Sequence, residues 1–207
     1  AMASKYRNSG QTCICANRIL VQAGVHDRFV QAFVDAARAL TVSDGREEGA
    51  QQGPLIDMAG LEKVERHVAD AVAKGATLVM GGRRHPLGGT FFEPTVLTGI
   101  DLTMDMANEE TFGPVAGIMR FETEDEAIAI ANATPYGLAA YFYSRDLART
   151  WRVADRLETG IVGINTGLIS TEVAPFGGMK QSGIGREGAS AGLEEFLEVK
   201  YRCIGGV

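Results

Sequence analysis

Cysteine, histidine and clustered basic residues are all scarce in this sequence, and each scarcity excludes something. The cysteines are Cys13, Cys15 and Cys203. An odd, low count argues against a disulfide-built secreted domain and for a reducing compartment. The histidines, His26, His67 and His85, match no metal-ligand spacing, so no metal is expected. Lys and Arg number 20 against 26 Asp and Glu, a net charge of −6. No Lys/Arg cluster interrupts that acidic balance, so no nucleic-acid partner is expected. No apolar run nears the roughly 20 residues that a membrane-spanning helix needs, so no membrane partner is expected either. The first residues lack a basic region followed by an apolar one, so no signal peptide is read there.

Glycine is abundant, at 26 residues, and most of it is clustered. That points to many turns and close backbone approaches. A chain of 207 residues, 45% hydrophobic, suits one large domain with a core of its own. Strand-like and helical patterns alternate along it. Residues 17–22 read as a strand. Residues 26–40 read as an amphipathic helix, with Val30, Phe33, Val34 and Ala37 at helical spacing. Residues 58–74 repeat the pattern with Leu61, Val64, Val68 and Ala71, and Gly75 is a natural stop. Strands are expected at 77–80, 95–97, 115–121, 139–143 and 161–164. Thr123 and Glu126 form a capping box for a helix to about residue 133, and Asp146 caps another through 157. A glycine-bearing loop, 166–185, precedes a helix from about 187 to 196 and a closing strand at 197–203. The alternation predicts an α/β fold with a largely parallel sheet.

Three clusters carry chemistry. The first is Gly10-Gln11-Thr12-Cys13-Ile14-Cys15. A cysteine between a glycine turn and a strand can present its sulfur at an open edge, where dipoles or cations favour the thiolate. A buried structural cysteine fits the spacing equally well. Cys15 reads as a packed small side chain or as one half of a strained, easily reduced Cys13–Cys15 disulfide. The second is Glu109-Glu110-Thr111-Phe112-Gly113-Pro114. By itself it is a solvated acidic turn, but a carboxylate can also hold ribose hydroxyls and an aromatic can pack on a flat cofactor ring. The third runs from Pro175 to Glu187 with four glycines. It has no Walker pattern, and Gly183-Ile184-Gly185-Arg186-Glu187-Gly188 follows a loop instead of a strand, so it reads as a structural turn before a helix.

These clusters, in this order and at these separations, resemble the aldehyde dehydrogenase superfamily along the chain from Lys5 to Gly206. The resemblance implies a three-layer αβα catalytic domain, with residues 1–207 as a thiol-bearing fragment and a Rossmann-type cofactor domain upstream of it. It implies that Cys13 is the nucleophile, that Glu110 binds the nicotinamide ribose and that Phe112 packs near the nicotinamide. The cofactor is then NAD or NADP. Tyr6-Arg7-Asn8, Cys13–Arg18, Asn165–Ser170 and Glu198–Tyr201 resemble the subgroup that oxidises succinate semialdehyde. In that subgroup Arg7 and Ser170 would hold the carboxylate of an aldehyde with a distal carboxylate, Phe176 would line the pocket, and Cys15 would be the redox partner of Cys13. Glutarate semialdehyde is the alternative substrate, and a Cys13–Cys15 thiol-redox sensor is the alternative from another class. The resemblance further implies a homodimer or homotetramer whose oligomerisation sheet includes 197–203. The family's general base and oxyanion-hole asparagine lie upstream of the nucleophile, so the 207 residues alone are expected to be inactive. A cytoplasmic location is the default expectation.

Overall fold

A computed structural model describes residues 1–206. In chain order its helices are α1 (Met2–Tyr6), α2 (His26–Arg38), α3 (Met58–Ala73), α4 (Asp105–Asn108), α5 (Glu124–Asn132), α6 (Leu147–Arg156) and α7 (Ala191–Glu194). Its strands are β1 (Ile19–Gln22), β2 (Thr77–Met80), β3 (Thr95–Thr98), β4 (Val115–Phe121), β5 (Tyr136–Gly137), β6 (Ala139–Phe142), β7 (Ile161–Ile164) and β8 (Met179–Lys180).

The buried run from Val115 to Met119 places β4 at the centre of the fold. Both faces of the strand are covered, so alternation with polar residues is not needed. The main sheet has the order β1-β4-β3-β2. β1 and β3 run parallel to β4, and only β2 is antiparallel, on β3. Leu97, Val115 and Met119 meet Leu61, Val64 and Val68 of α3 on one face. Val96, Ala116 and Ile118 meet Tyr6 and Phe33, Val34 and Ala37 of α2 on the other. This is a three-layer α/β arrangement. Each fully enclosed aliphatic side chain in these clusters contributes about 1.5–3 kcal/mol.

The expected helix starts are present as side-chain caps. Asp57 accepts from the Gly60 amide at 2.8 Å, Thr123 from Glu126 at 3.2 Å and Asp146 from Arg149 at 2.9 Å. The Glu126 carboxylate accepts from the Glu122 amide, one residue earlier than a strict capping box.

Three boundaries differ from expectation. The first strand begins at Ile19, because the two preceding side chains are spent elsewhere. Arg18 donates to the carbonyls of Ala107, Ile130 and Ala133 at 2.6, 2.7 and 2.9 Å, tying α4 to the end of α5. The helix expected over 187–196 shrinks to α7, because Gly188 and Ala189 have φ of 73° and 48° and break its first turn. The strand expected at 197–203 does not form. No neighbouring strand pairs with it, Val199 is fully exposed, and an unpartnered extended segment has nothing to hold it.

Two small sheets lie beyond the main one. β6 pairs parallel with β7, and β5 pairs antiparallel with β8, a strand inside the segment read from sequence as loop. They bring the 166–185 segment back toward the N-terminal cysteines.

Candidate active site

Cys13 is exposed because the turn that carries it is anchored on either side. The Cys15 amide donates to the Thr12 carbonyl at 2.9 Å, closing a tight turn with Cys13 and Ile14 at its corner. Ile14 points into the core, and Cys13 points out. Beneath the turn, the Tyr141 hydroxyl donates to the Ile14 carbonyl at 2.8 Å, so β6 supports the cysteine turn from below. Burial pushes the Tyr141 hydroxyl up to about 12, so it stays protonated and keeps donating. Both cysteines are free thiols, and Cys15 Sγ lies 3.7 Å from the Arg7 carbonyl oxygen.

The first two sequence clusters meet backbone to backbone. Gly10 has φ of 75°, and a Cβ there would lie 2.0 Å from the Gly113 carbonyl oxygen. Only glycine fits this contact. It sets the cysteine turn beside the turn that carries Glu110 and Phe112. Phe112, at φ 51°, occupies the left-handed region that such side chains rarely adopt, as do Asn8 and Ser9 next to Arg7. Strain therefore gathers on the segments that the sequence marked for chemistry.

Arg7 and Ser170 come together across 163 residues of sequence. Arg7 Nη2 donates to Ser170 Oγ at 3.3 Å. Ser170 and Phe176 line one open hollow of about 440 Å³, with Thr171, Glu172, Glu187 and Gly188. Phe176 is held there by a reciprocal pair of backbone hydrogen bonds with Glu187, both 2.8 Å. A guanidinium beside a hydroxyl at the edge of such a hollow is suited to a carboxylate.

The electrostatics of the site centre on a buried cation. Lys5 is 1% exposed, and burial pulls its ammonium down to about 8, against attraction from Cys15 and Glu110. Partial burial pushes the Glu110 carboxyl up, opposed by Lys63 and Lys5. The Lys5 shift carries a prediction. Its folded pKa lies below its unfolded one, so between about 8 and 10.5 the unfolded chain binds more protons and stability rises with pH. Below about 8 the penalty is complete. At about 1.4 kcal/mol per pKa unit it amounts to about 3 kcal/mol. Lys5→Met should therefore stabilise the fold by about that much at pH 7, with the gain fading as pH rises from about 8 to about 10.5. Urea unfolding across that range checks it, and a gain that does not change with pH contradicts it.

Sequence reasoning passed over several residues that shape this site. Asn17 Nδ2 donates to the Met106 carbonyl at 2.7 Å, and its Oδ1 accepts from the Thr111 amide at 3.1 Å. Tyr141, Lys5 and His67 also act from below. None carries a local motif, since each matters through partners far away in sequence. Among the described residues no three His, Cys, Asp or Glu side chains gather as a metal site would require. Among the same residues no helix is long and apolar enough to cross a membrane.

Glu110 and Phe112 suit a nicotinamide cofactor. The carboxylate has no hydrogen bond or ion pair of its own among the described residues and stands beside an aromatic, so it is free to accept from ribose hydroxyls.

An exposed cysteine on a glycine turn, backed by an α/β sheet and set beside the turn that carries an unpaired carboxylate, defines a thiol-bearing α/β domain. Residues 1–202 match the aldehyde dehydrogenase family, and the chain belongs to it. It is 60% identical to the mitochondrial succinate-semialdehyde dehydrogenase of Rattus norvegicus, covering all of this chain and 40% of that protein. It is 57% identical to the 3-sulfolactaldehyde dehydrogenase of Pseudomonas putida and 58% identical to the glutarate-semialdehyde dehydrogenase of Pseudomonas aeruginosa, covering all of this chain and 43% of each. The crystal structure of succinate-semialdehyde dehydrogenase from Burkholderia pseudomallei superposes with a TM-score of 0.97 at 58% identity, over 98% of this chain and 42% of that one. Betaine aldehyde dehydrogenase from Staphylococcus aureus in complex with NAD+ gives 0.91 at 42% identity, over 95% of this chain and 40% of that one. The chain thus spans about two fifths of the length of the relatives it matches.

Proposed function

We propose that this chain is the thiol-bearing catalytic part of an NAD(P)-dependent dehydrogenase for aldehydes with a distal anion, with succinate semialdehyde as the preferred substrate. The observation that carries the reading is the Arg7–Ser170 contact at the hollow that Phe176 lines. The three relatives named above act, by their names, on succinate semialdehyde, glutarate semialdehyde and 3-sulfolactaldehyde, and each of these aldehydes bears an anionic group away from the carbonyl. A clamp of one guanidinium and one hydroxyl serves all three, so the length of the hollow has to choose between them.

The chemistry follows from the residues. Arg7 and Ser170 hold the distal carboxylate and turn the aldehyde carbon toward Cys13. The Cys13 thiolate adds to that carbon, forming a C–S bond while the carbonyl π pair moves to oxygen. Backbone amides of the 12–15 turn would stabilise that oxyanion. Glu110 and Phe112 would hold a nicotinamide cofactor, which supplies the acceptor for the hydride when bound. A thioester on Cys13 then yields to water, and the acid leaves as the thiol is restored. The base for that water and a second oxyanion donor come from the upstream part that family members carry, so the 207 residues alone are inactive. In the whole protein, a homodimer or homotetramer would give residues 197–203 the strand partners they lack here. The Cys13–Cys15 pair is read as a redox lock on the nucleophile.

The test is a substrate panel on the chain joined to its upstream segment: succinate semialdehyde, glutarate semialdehyde and propanal with each cofactor. Succinate semialdehyde should lead in kcat/KM. Equal rates with propanal would overturn the anion-directed reading.

A further inference from the structure

Glu109, Glu110 and Thr111 are consecutive, yet the fold holds the outer two and leaves the middle one free. Thr111 is fully buried. Its amide donates to Asn17 Oδ1 at 3.1 Å, and its hydroxyl lies 3.1 Å from His67 Nδ1. The Glu109 carbonyl accepts from Asn17 Nδ2 at 3.5 Å. Its carboxylate faces His67 Nε2 at 3.3 Å. Glu110 between them makes no such contact.

His67 is the unusual member of this set. It sits on α3 at 1% exposure, in the stripe formed by Leu61, Val64 and Val68. An apolar side chain would fill that position without leaving ring nitrogens to satisfy. Nε2 is enclosed and makes no well-aligned hydrogen bond, so its only compensation is the nearby Glu109 carboxylate. In one neutral tautomer the Thr111 hydroxyl donates to Nδ1, and Nε2–H is left with the charge of the Glu109 carboxylate 3.3 Å away. Burial holds the ring below its ordinary pKa, which favours that neutral form.

We infer that His67 is a positioning residue for Glu110: by gripping Thr111 and Glu109 it sets where the Glu110 carboxylate meets the ribose of a nicotinamide cofactor. This rests on the reading of Glu110 given above. A diol accepts only a narrow range of carboxylate placements, so small shifts of the turn weaken binding steeply. Because His67 touches neither thiol nor aldehyde, its loss should act on the cofactor and spare the thiol.

The experiment uses the chain joined to its upstream segment, with wild type, His67→Leu, His67→Asn, His67→Gln and Glu110→Gln. Asn offers an amide near the Nδ1 position and can keep the Thr111 contact. Gln reaches the Nε2 position and can keep the Glu109 contact. His67→Leu should raise the KM for the nicotinamide cofactor about 10-fold, with kcat changed less and the rate of Cys13 alkylation unchanged. His67→Asn should restore most of the cofactor KM. A purely structural histidine would lower the melting temperature of His67→Leu while leaving the cofactor KM where it was, and that outcome overturns the inference. If His67→Leu does not fold, His67→Gln carries the test, and an unchanged cofactor KM there overturns it equally. Glu110→Gln separates the two levels. If it raises the cofactor KM and the His67 variants do not, the positioning role fails while the ribose reading stands. If Glu110→Gln itself changes nothing, the ribose reading fails and the inference goes with it.

Discussion

Replacing Cys13 with alanine, in the chain joined to its upstream segment, should lower aldehyde oxidation by roughly 10⁴-fold or more, while cofactor binding persists. Removing a covalent nucleophile deletes a step that no neighbouring group can perform, so losses of this order are expected. Cys15 is the internal control. It lies two residues away and is only half-exposed, with its sulfur turned toward the Arg7 carbonyl. Cys15→Ala should keep most of the turnover and, if the pair forms a reversible disulfide, abolish recovery by reductant after mild peroxide. Steady-state rates and intact mass read both effects. Full activity in Cys13→Ala would transfer the nucleophile to another residue. Loss in Cys15→Ala equal to that in Cys13→Ala would favour a thiol-pair mechanism over a single nucleophile.

Arg7→Ala should erase the preference for an anionic aldehyde over propanal. A charge-assisted hydrogen bond to a carboxylate is worth about 1.5–3 kcal/mol, or roughly 10–150-fold in kcat/KM for succinate semialdehyde. Propanal, which has no anion to hold, should change little. The structure sharpens this beyond a point-charge argument, because Arg7 already leans on Ser170 at 3.3 Å. Arg7→Lys keeps the charge but loses the planar fork, and should recover only part of the preference. Ser170→Ala should cost less than Arg7→Ala, because it removes a neutral donor. A substrate preference unchanged in Arg7→Ala would move the carboxylate site elsewhere in the hollow or off this chain.

The elements that were legible in the sequence are those written in local chemistry. Thr123 and Asp146 announced their helices because a cap acts within three residues. The apolar spacing of α2 and α3 reported which faces are buried, and residues 115–121 read as a strand. Failures occurred where a distant partner decided. Residues 197–203 have a strand-like pattern, but a strand exists only as part of a ladder, and none is supplied to them. Arg18 sits where a strand was expected to have begun, yet its guanidinium is committed to three carbonyls about 90 to 115 residues away.

The site divides in the same way. By itself the sequence determined the chemical kinds present: a cysteine on a glycine turn, a pair of glutamates before an aromatic, an arginine ahead of the cysteine and a serine 163 residues after that arginine. It also determined that Gly10 and Gly113 would be glycines, without saying why. Only the tertiary structure decided that those two glycines touch, and so that the cysteine turn and the Glu110 turn lie side by side. It alone brought Arg7 to Ser170, set Tyr141 under Ile14 and placed His67 between Glu109 and Thr111. The physical reason is range. Caps, turns and periodicity act over a few residues and leave their mark in neighbouring letters. Close backbone packing, buried hydrogen bonds and the attraction between charges depend on distance in space, which the folded sheet sets and the order of residues does not record.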